Sequence, residues 1–528
     1  MKHNSLDNQY HIIHSVNLDI STSSLEKANK IKDTIDLFFK EKLFPRIEKL
    51  LENKSVGNEI KRFDKVNIDL DIHNTLDYDD LKTKITDQLS SLIDNLDSTT
   101  YNIRSRISQG KEGIVNDIKS NTLKSRVGFT DDKPAQQIIP DQENREEIFI
   151  YFLRTGRLPW FAKESDITRF YNTDLYKKSF NSAIFIDKLR TSIVANYNVL
   201  ERLIYQFPDD FLNDLLICIV KDKVVEKEFL KKRIRNKGVA LRDNIYKVLF
   251  TSSLPVTKEI RDRTIQKFLL SLQKQISINN QREIYKDYSS DIEKVTLEIE
   301  ELINHVSVKK VPYNSLKTVL QNISIQTEKS DNILDESVLK PAEIANQILE
   351  VENNNYGLDD AEDNAILTEN VGLILLHPFL KQFFKELEIT DKNGNLIDDK
   401  IDNAIHILHY LATGEENVLE CNLTFEKIIC AIPIETPIQR GTTLSVKMKE
   451  DADQLLKAAI KNWSALKNTS PDGLRQLFLE RDGKVFEEES KYKIIVERKA
   501  QDILLGKLPW NISIIRLPWQ SKILFVQW

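Results

Sequence analysis

A mainly α-helical fold with α+β ends is what this sequence predicts, and three observations carry the prediction. Glycine and proline number only 14 each in 528 residues, about half of average usage, so turns are scarce and helices long. Apolar residues recur with helical spacing over most of the chain. Period-two alternation, the mark of a half-buried strand, is confined to the two ends.

The first hundred residues read as a small βαβα unit, residues 1–98. Ile12, His14, Val16, Leu18 and Ile20 alternate as a first strand, with His14 as a core histidine on its apolar face. From Ser23 to Asn53 the residues Leu25, Ala28, Ile31, Ile35, Phe38, Phe39 and Leu43 follow helical spacing, and Pro45 should kink or split that helix. Val66, Ile68, Leu70 and Ile72 alternate with Asn67, Asp69 and Asp71 as a second strand, echoing the first. Leu81, Ile85, Leu89, Leu92 and Leu96 stripe a second helix. The two strands pair either in parallel, through a right-handed crossover, or antiparallel.

Residues 99–140 are polar, hold Gly110, Gly113, Gly128, Pro134 and Pro140, and read as a linker containing some helix. A helical middle region, 141–304, follows. Ile148, Phe149, Phe152 and Leu153 share a helix that Gly156 can end. Further helices are expected near 178–206, 208–222, 224–250 and 256–304, with Pro208 opening the second of these. Residues 305–365 form an acidic linker: between Asp331 and Asn370 stand eleven acidic residues and one basic, Lys340. The chain's net charge is −6, so everything outside that stretch is close to neutral.

Residues 366–528 read as a C-terminal α+β domain, helical first and finished by a small β-sheet. Helices are expected at 371–387, 398–413, 423–432, 449–467 and 472–481, with turn chemistry at Asp391-Lys-Asn-Gly-Asn395. After Gly483 the pattern turns to strands at Lys491–Glu497, Ile512–Arg516 and Ile523–Trp528, the last tying down the terminus.

Composition excludes several functions. The charge balance lacks the basic surplus of a nucleic-acid binder. Met1–Asp7 holds no apolar stretch, so no secretory signal peptide is expected. The longest apolar run, Val371–Leu380, is broken by His377 and Pro378 and is too short for a membrane span. Cys218, Cys421 and Cys430 suit a reducing compartment rather than a disulfide scaffold.

Chemistry is equally sparse. The phosphate-loop, dinucleotide-fingerprint, nucleophile-elbow and His-Glu-x-x-His patterns are all missing, so no enzyme, cofactor or catalytic residue is expected. The Asp391 segment departs from a calcium loop at Leu396 and Asp402 and reads as a plain turn. His406-x-x-His409 with Cys421 and Cys430 could be drawn as a metal set, but the cysteine spacing is wide and Cys430 lies among isoleucines, so no metal is expected. Asp69 and Asp71 read as the solvated side of a sheet. The run Lys231, Lys232, Arg233, Arg235, Lys237 and Arg242 reads as a solvated helix face.

One pattern repeats: Gly156-Arg-Leu-Pro-Trp160, Gly506-Lys-Leu-Pro-Trp510 and, in shorter form, Leu517-Pro-Trp519. Glycine ends a helix, proline sets an extended direction and tryptophan covers a large apolar area. Trp160, Trp510, Trp519 and the terminal Trp528 are therefore the candidate structural or partner-contact residues, with the structural corner favoured.

Long strings in the last third carry a family resemblance. They are Val371-Gly-Leu-Ile-Leu-Leu-His-Pro-Phe-Leu380, Ala404-Ile-His-Ile-Leu-His-Tyr-Leu-Ala-Thr-Gly414, Trp463–Arg475, Phe478-Leu-Glu-Arg-Asp-Gly483, Leu508–Trp519 and Phe525-Val-Gln-Trp528. Together with His11-Ile-Ile-His14, the 62–72 segment and Gly156–Trp160, they resemble the tape-measure proteins of bacterial contractile injection systems, the phage-tail-like particles that include type VI-like devices.

The resemblance implies a non-enzymatic assembly factor that sets tube and sheath length. Implied partners are the inner tube protein, a baseplate or spike complex and a cap or terminator protein, with several copies per particle. Implied location is the bacterial cytoplasm during assembly, then the particle, with no nucleic acid and no membrane insertion. A helix rises ~1.5 Å per residue, so 141–304 could span about 250 Å and the whole chain at most ~800 Å. A baseplate adaptor or assembly chaperone, and a delivered effector, are the alternatives.

Overall fold

A computed structural model of the chain describes residues 11–13, 16–19, 21–22, 24–54, 59–63, 66–70, 77–108, 136–220, 231, 239–254, 256, 264 and 365–528. Two compact units emerge, one of residues 1–147 with 351–356 and one of 148–350 with 357–528.

In the first unit, α1 (Leu25–Phe38) runs through a π-helical turn, Phe39–Leu43, into α2 (Phe44–Lys54). Pro45 explains the turn: it has no N–H, and its ring crowds the carbonyl of Glu41, so the helix widens just before it. Phe38, Leu43 and Ile47 form a small core, and Leu81, Ile85 and Leu89 of α3 (Tyr78–Ser108) pack against it. Phe38 stacks on Tyr78 with ring centroids 4.8 Å apart.

The strands of this unit lie elsewhere than the alternation suggests. β1 (Glu59–Phe63) pairs antiparallel with β2 (Gln136–Pro140), Lys61 opposite Ile138. Residues 66–70 carry no strand, nor do the described residues of 12–20; His14 and Asp71 lie outside the described residues. Exposure still alternates from Val66 to Leu70, with Asn67 and Asp69 outward. Period two reports an extended segment covered on one side, and a helix face covers it as well as a neighbouring strand does.

The second unit begins within α4 (Asp141–Thr155), which Gly156 ends in the left-handed region at φ 73°, its N–H donating to Phe152 O at 2.8 Å. Five helices follow: α5 (Glu164–Thr168), α6 (Thr173–Phe180), α7 (Ala183–Ala195), α8 (Tyr197–Gln206) and α9 (Asp209–Ile219). The single helix expected near 178–206 is thus three. Ser182 Oγ accepts from Phe185 N at 3.3 Å and Asn196 Oδ1 from Asn198 N at 2.9 Å, so each opens a new helix. Pro208 stands at the N-cap of α9 as expected.

The described part of the next helix is α10 (Val239–Ser253); the helix expected at 256–304 falls almost wholly outside the described residues. Phe149, Phe170, Phe207 and Phe211 form the aromatic centre of this helical core, the Phe207 and Phe211 rings 4.8 Å apart. Arg242, expected on a solvated face, instead donates to the carbonyls of Ile204 (2.8 Å) and Phe207 (2.9 Å) and pairs with Asp209. It neutralises the C-terminal end of α8.

From residue 365 onward the same unit adds β3 (Ile366–Thr368), a buried 3₁₀ turn at Val371–Leu376, α11 (His377–Glu386), α12 (Ile401–Thr413), α13 (Thr424–Ile429), α14 (Val446–Asn462) and α15 (Pro471–Leu474). Then come β4 (Gly483–Glu487), β5 (Lys491–Val496), β6 (Ile514–Ile515) and β7 (Ile523–Gln527). The sheet order is β3-β4-β5-β7-β6, antiparallel except for the parallel β5–β7 pair. The terminal strand is therefore held between two others, as its apolar pattern required. Its inner face, including Val485, Ile494, Leu524 and Val526, joins the core built on α12 and α14. Gly372 lies against the backbone of Phe478 and Leu479, where any Cβ would collide with the Phe478 carbonyl.

Candidate functional site

The tryptophan corners differ from one another once placed. Trp160 is 42 % exposed and meets Phe161 edge-on at 5.5 Å. Trp510 donates from Nε1 to Leu375 O at 3.0 Å and stands edge-on to Phe379. Trp519 stacks on Phe384 at 5.0 Å and donates to Ile429 O at 2.8 Å. Trp528 lies under the Arg481 guanidinium at 6.0 Å. Gly156 ends its helix, whereas Gly506 sits inside a 3₁₀ helix, Ala500–Lys507, so the two repeats share letters but not a backbone path.

The most strongly built polar site is one that sequence reading did not single out. Arg202, on α8, Glu420, in a 3₁₀ turn, and Lys427, on α13, are all at most 1 % exposed. Arg202 Nε reaches both Glu420 oxygens at 3.0 Å, and Lys427 Nζ reaches Oε1 at 2.6 Å. The remaining Arg202 donors go to the carbonyls of Leu153 and Glu435. Lys427 also donates to Ile434 O at 2.8 Å, and the Ile438 N–H donates to Glu420 Oε2. Gln206 completes the join, donating to Ile438 O and accepting from Glu420 N.

Two cations share one carboxylate here, and burial pulls the Lys427 pKa down despite Glu420. Gly156 belongs to the same site: a Cβ there would stand 2.5 Å from Glu420 Oε1. The network fastens segments more than 200 residues apart within one unit. The available signal was an arginine flanked by Val199, Leu200, Leu203 and Ile204 on the helix face that carries them.

The residues drawn as a metal set have separate partners. His406 Nε2 donates to Gln439 O at 2.7 Å, while His409 Nδ1 faces Glu426 Oε1 at 3.3 Å beside Asn370. Burial pushes the thiols of Cys421 and Cys430 up, away from the thiolate a metal needs. The Asp391 segment is a turn closed by its own carboxylate, which accepts from Asn393 N and Asn395 N at 2.8 Å.

Asp402 and His406, one turn apart on α12, bracket the backbone of Gln439. Burial pushes Asp402 up to about 6 and pulls His406 down to about 4. As pH falls from 6.5 towards 4 the unfolded chain protonates His406 first, so that contribution to stability is lost. Between 6 and 3.8 the folded chain protonates Asp402 first, so stability is gained. His406→Phe is expected to gain stability relative to the parent on acidification to pH 4, and Asp402→Asn to lose it, each by on the order of 2–3 kcal/mol. Denaturant titrations of both variants at pH 7 and pH 4 check this; parallel curves for all three proteins would count against it.

The comparison with known families decides what this assembly belongs to. The sequence model for contractile injection system tape measure proteins matches residues 10–528. This chain is a member of that family. Neither a curated protein nor a solved structure matches it significantly. Membership makes this tape-measure protein a structural component of a contractile injection particle, associated with tube and sheath components. Among the described residues no helix is long and apolar enough to cross a membrane. The family match extends over both compact units, so the N-terminal and middle regions belong to it as fully as the C-terminal strings that first carried the resemblance.

Proposed function

We propose that this chain sets the length at which the inner tube and its sheath stop growing. The family match over 10–528 carries the reading. It assembles in the bacterial cytoplasm in several copies, meets a baseplate or spike complex at one end and the inner tube protein along its course, and hands over to a cap or terminator protein. Half-exposed Trp160 serves a partner contact, whereas Trp510, Trp519 and Trp528 anchor the fold.

A second reading has its own support. Described residues of the expected ruler, 148–220 and 239–254, are packed into one unit with 365–528 around a buried ionic network. A folded component of that kind suits a baseplate-associated adaptor or assembly chaperone. Electron microscopy of particles from a strain lacking the chain separates the readings. Tubes of uncontrolled length, or none, are the expected result; normal tubes without baseplates would favour the adaptor, and normal particles that lack toxicity an effector.

A further inference from the structure

Within the second unit, two apolar cores meet at a polar join. One core is built on α4 to α10, the other on the elements from β3 to β7. Among the described residues of 365–528, only Leu419 is buried in the first core, with Cys421 packed against its edge. Every extensive packing of one described element against another falls within one half, 148–254, or the other, 365–528.

Side chains make most of the crossing. α8 buries Val199, Leu200, Leu203 and Ile204 in its own core, while the row Asn198, Arg202 and Gln206, four residues apart, reaches the other half. Asn198 Nδ2 and Arg202 Nη2 donate to Glu435 O at 3.3 and 2.6 Å, and Gln206 Nε2 donates to Ile438 O at 2.8 Å. Asn422 donates to Glu164 Oε2 at 3.0 Å, and the Arg440 guanidinium lies over the Tyr171 ring at 4.6 Å. An interface this polar between two folded cores favours relative motion over permanent fusion.

The charges are divided so that each half is sound alone. Glu420 has two cations, and they come from opposite sides of the join. Lys427, its second acceptor Ile434 O and the Ile438 N–H all belong to the half that carries Glu420. When Arg202 leaves, Glu420 keeps Lys427 and no carboxylate is stranded. Arg202 keeps the Leu153 carbonyl on its own side, and its charge returns to water. Closed, the site holds one positive charge in excess: burial, and after it the Arg202 charge, pulls the Lys427 pKa down. Opening relieves that repulsion.

We propose that this join is a latch, at which the helical half undocks from the C-terminal half while both stay folded. The proposal goes beyond the length-setting reading and holds for ruler or adaptor alike. The three cysteines report it in the full-length chain. Cys421 lies at the join, Cys430 is 1 % exposed inside the C-terminal core, and Cys218 sits at the edge of the helical core. Burial raises the Cys421 pKa, so its thiol reacts when the join opens.

The rate of N-ethylmaleimide labelling at each cysteine, read by peptide mass spectrometry, is the test. Arg202→Gln is expected to accelerate Cys421 about tenfold, while Cys430 stays unlabelled and Cys218 keeps its rate. Lys427→Gln removes a cation that stays with Glu420 in both states, so it should not accelerate Cys421. Gln206→Ala leaves every charge in place and should accelerate Cys421 to a smaller extent, which keeps the test open should Arg202→Gln fail to fold. Joint labelling of Cys421 and Cys430 in every protein would show that the halves open only by unfolding together, and overturns the proposal. So does a Cys421 rate unchanged in both Arg202→Gln and Gln206→Ala, or an equal acceleration by Lys427→Gln.

Discussion

Glu420→Ala is expected to destabilise the 148–528 unit by about 3–5 kcal/mol, because it strands Arg202 and Lys427 as buried, unneutralised cations. The cost comes from the stranded charges, not from a large intrinsic worth of the ion pair. Replacing all three residues together, as Arg202→Met, Glu420→Leu and Lys427→Met, should therefore cost far less than the single truncation. Chemical denaturation of the full chain, following the transition that contains α8, measures both. A single variant as stable as the parent would show that water reaches the network and that the segments are not fastened there.

Trp519→Ala should cost ~3–5 kcal/mol, since it removes the ring stacked on Phe384 and leaves the Ile429 carbonyl without its donor. Trp160→Ala should cost under about 1 kcal/mol, in keeping with its exposure. Measuring both by thermal and denaturant unfolding tests the division between anchoring and partner-facing corners. Equal losses would mean that the Leu-Pro-Trp sequences ending in Trp160 and Trp519 do the same work.

Much of the architecture of the second unit was legible because local and long-range demands agree there. Gly156 and Pro208 mark helix boundaries through their own backbone limits, which no tertiary contact can override. β5 and β7 are apolar enough to declare themselves. By contrast, β3 is three residues long, and β4 mixes Lys484 and Glu487 with Val485 and Phe486; both exist through pairing that the sequence does not display. The breaks at Ser182 and Asn196 were written in ordinary capping residues, hidden by apolar spacing that continues across them. Ile60 and Ile139 face each other across a sequence distance that no local pattern spans.

The Arg202 site was hidden for a related reason. A charged residue on an apolar helix face reads locally as an irregularity, and its meaning depends on Glu420 and Lys427 arriving from another part of the chain. Its completeness is visible only in three dimensions, where every carboxylate oxygen and guanidinium nitrogen of the pair has a partner.

The most direct measurement of the proposed role is tube length as a function of chain length. Inserting about 40 helix-forming residues after Ser290, a position outside the described residues, should lengthen tubes by at most ~60 Å. Deleting a comparable number nearby should shorten them by a similar amount. Electron micrographs of particles from both strains, with incorporation of the altered chain verified by blotting, give the answer. A proportional shift is the result expected of a tape measure, and tubes of unchanged length carrying the altered chain would contradict it.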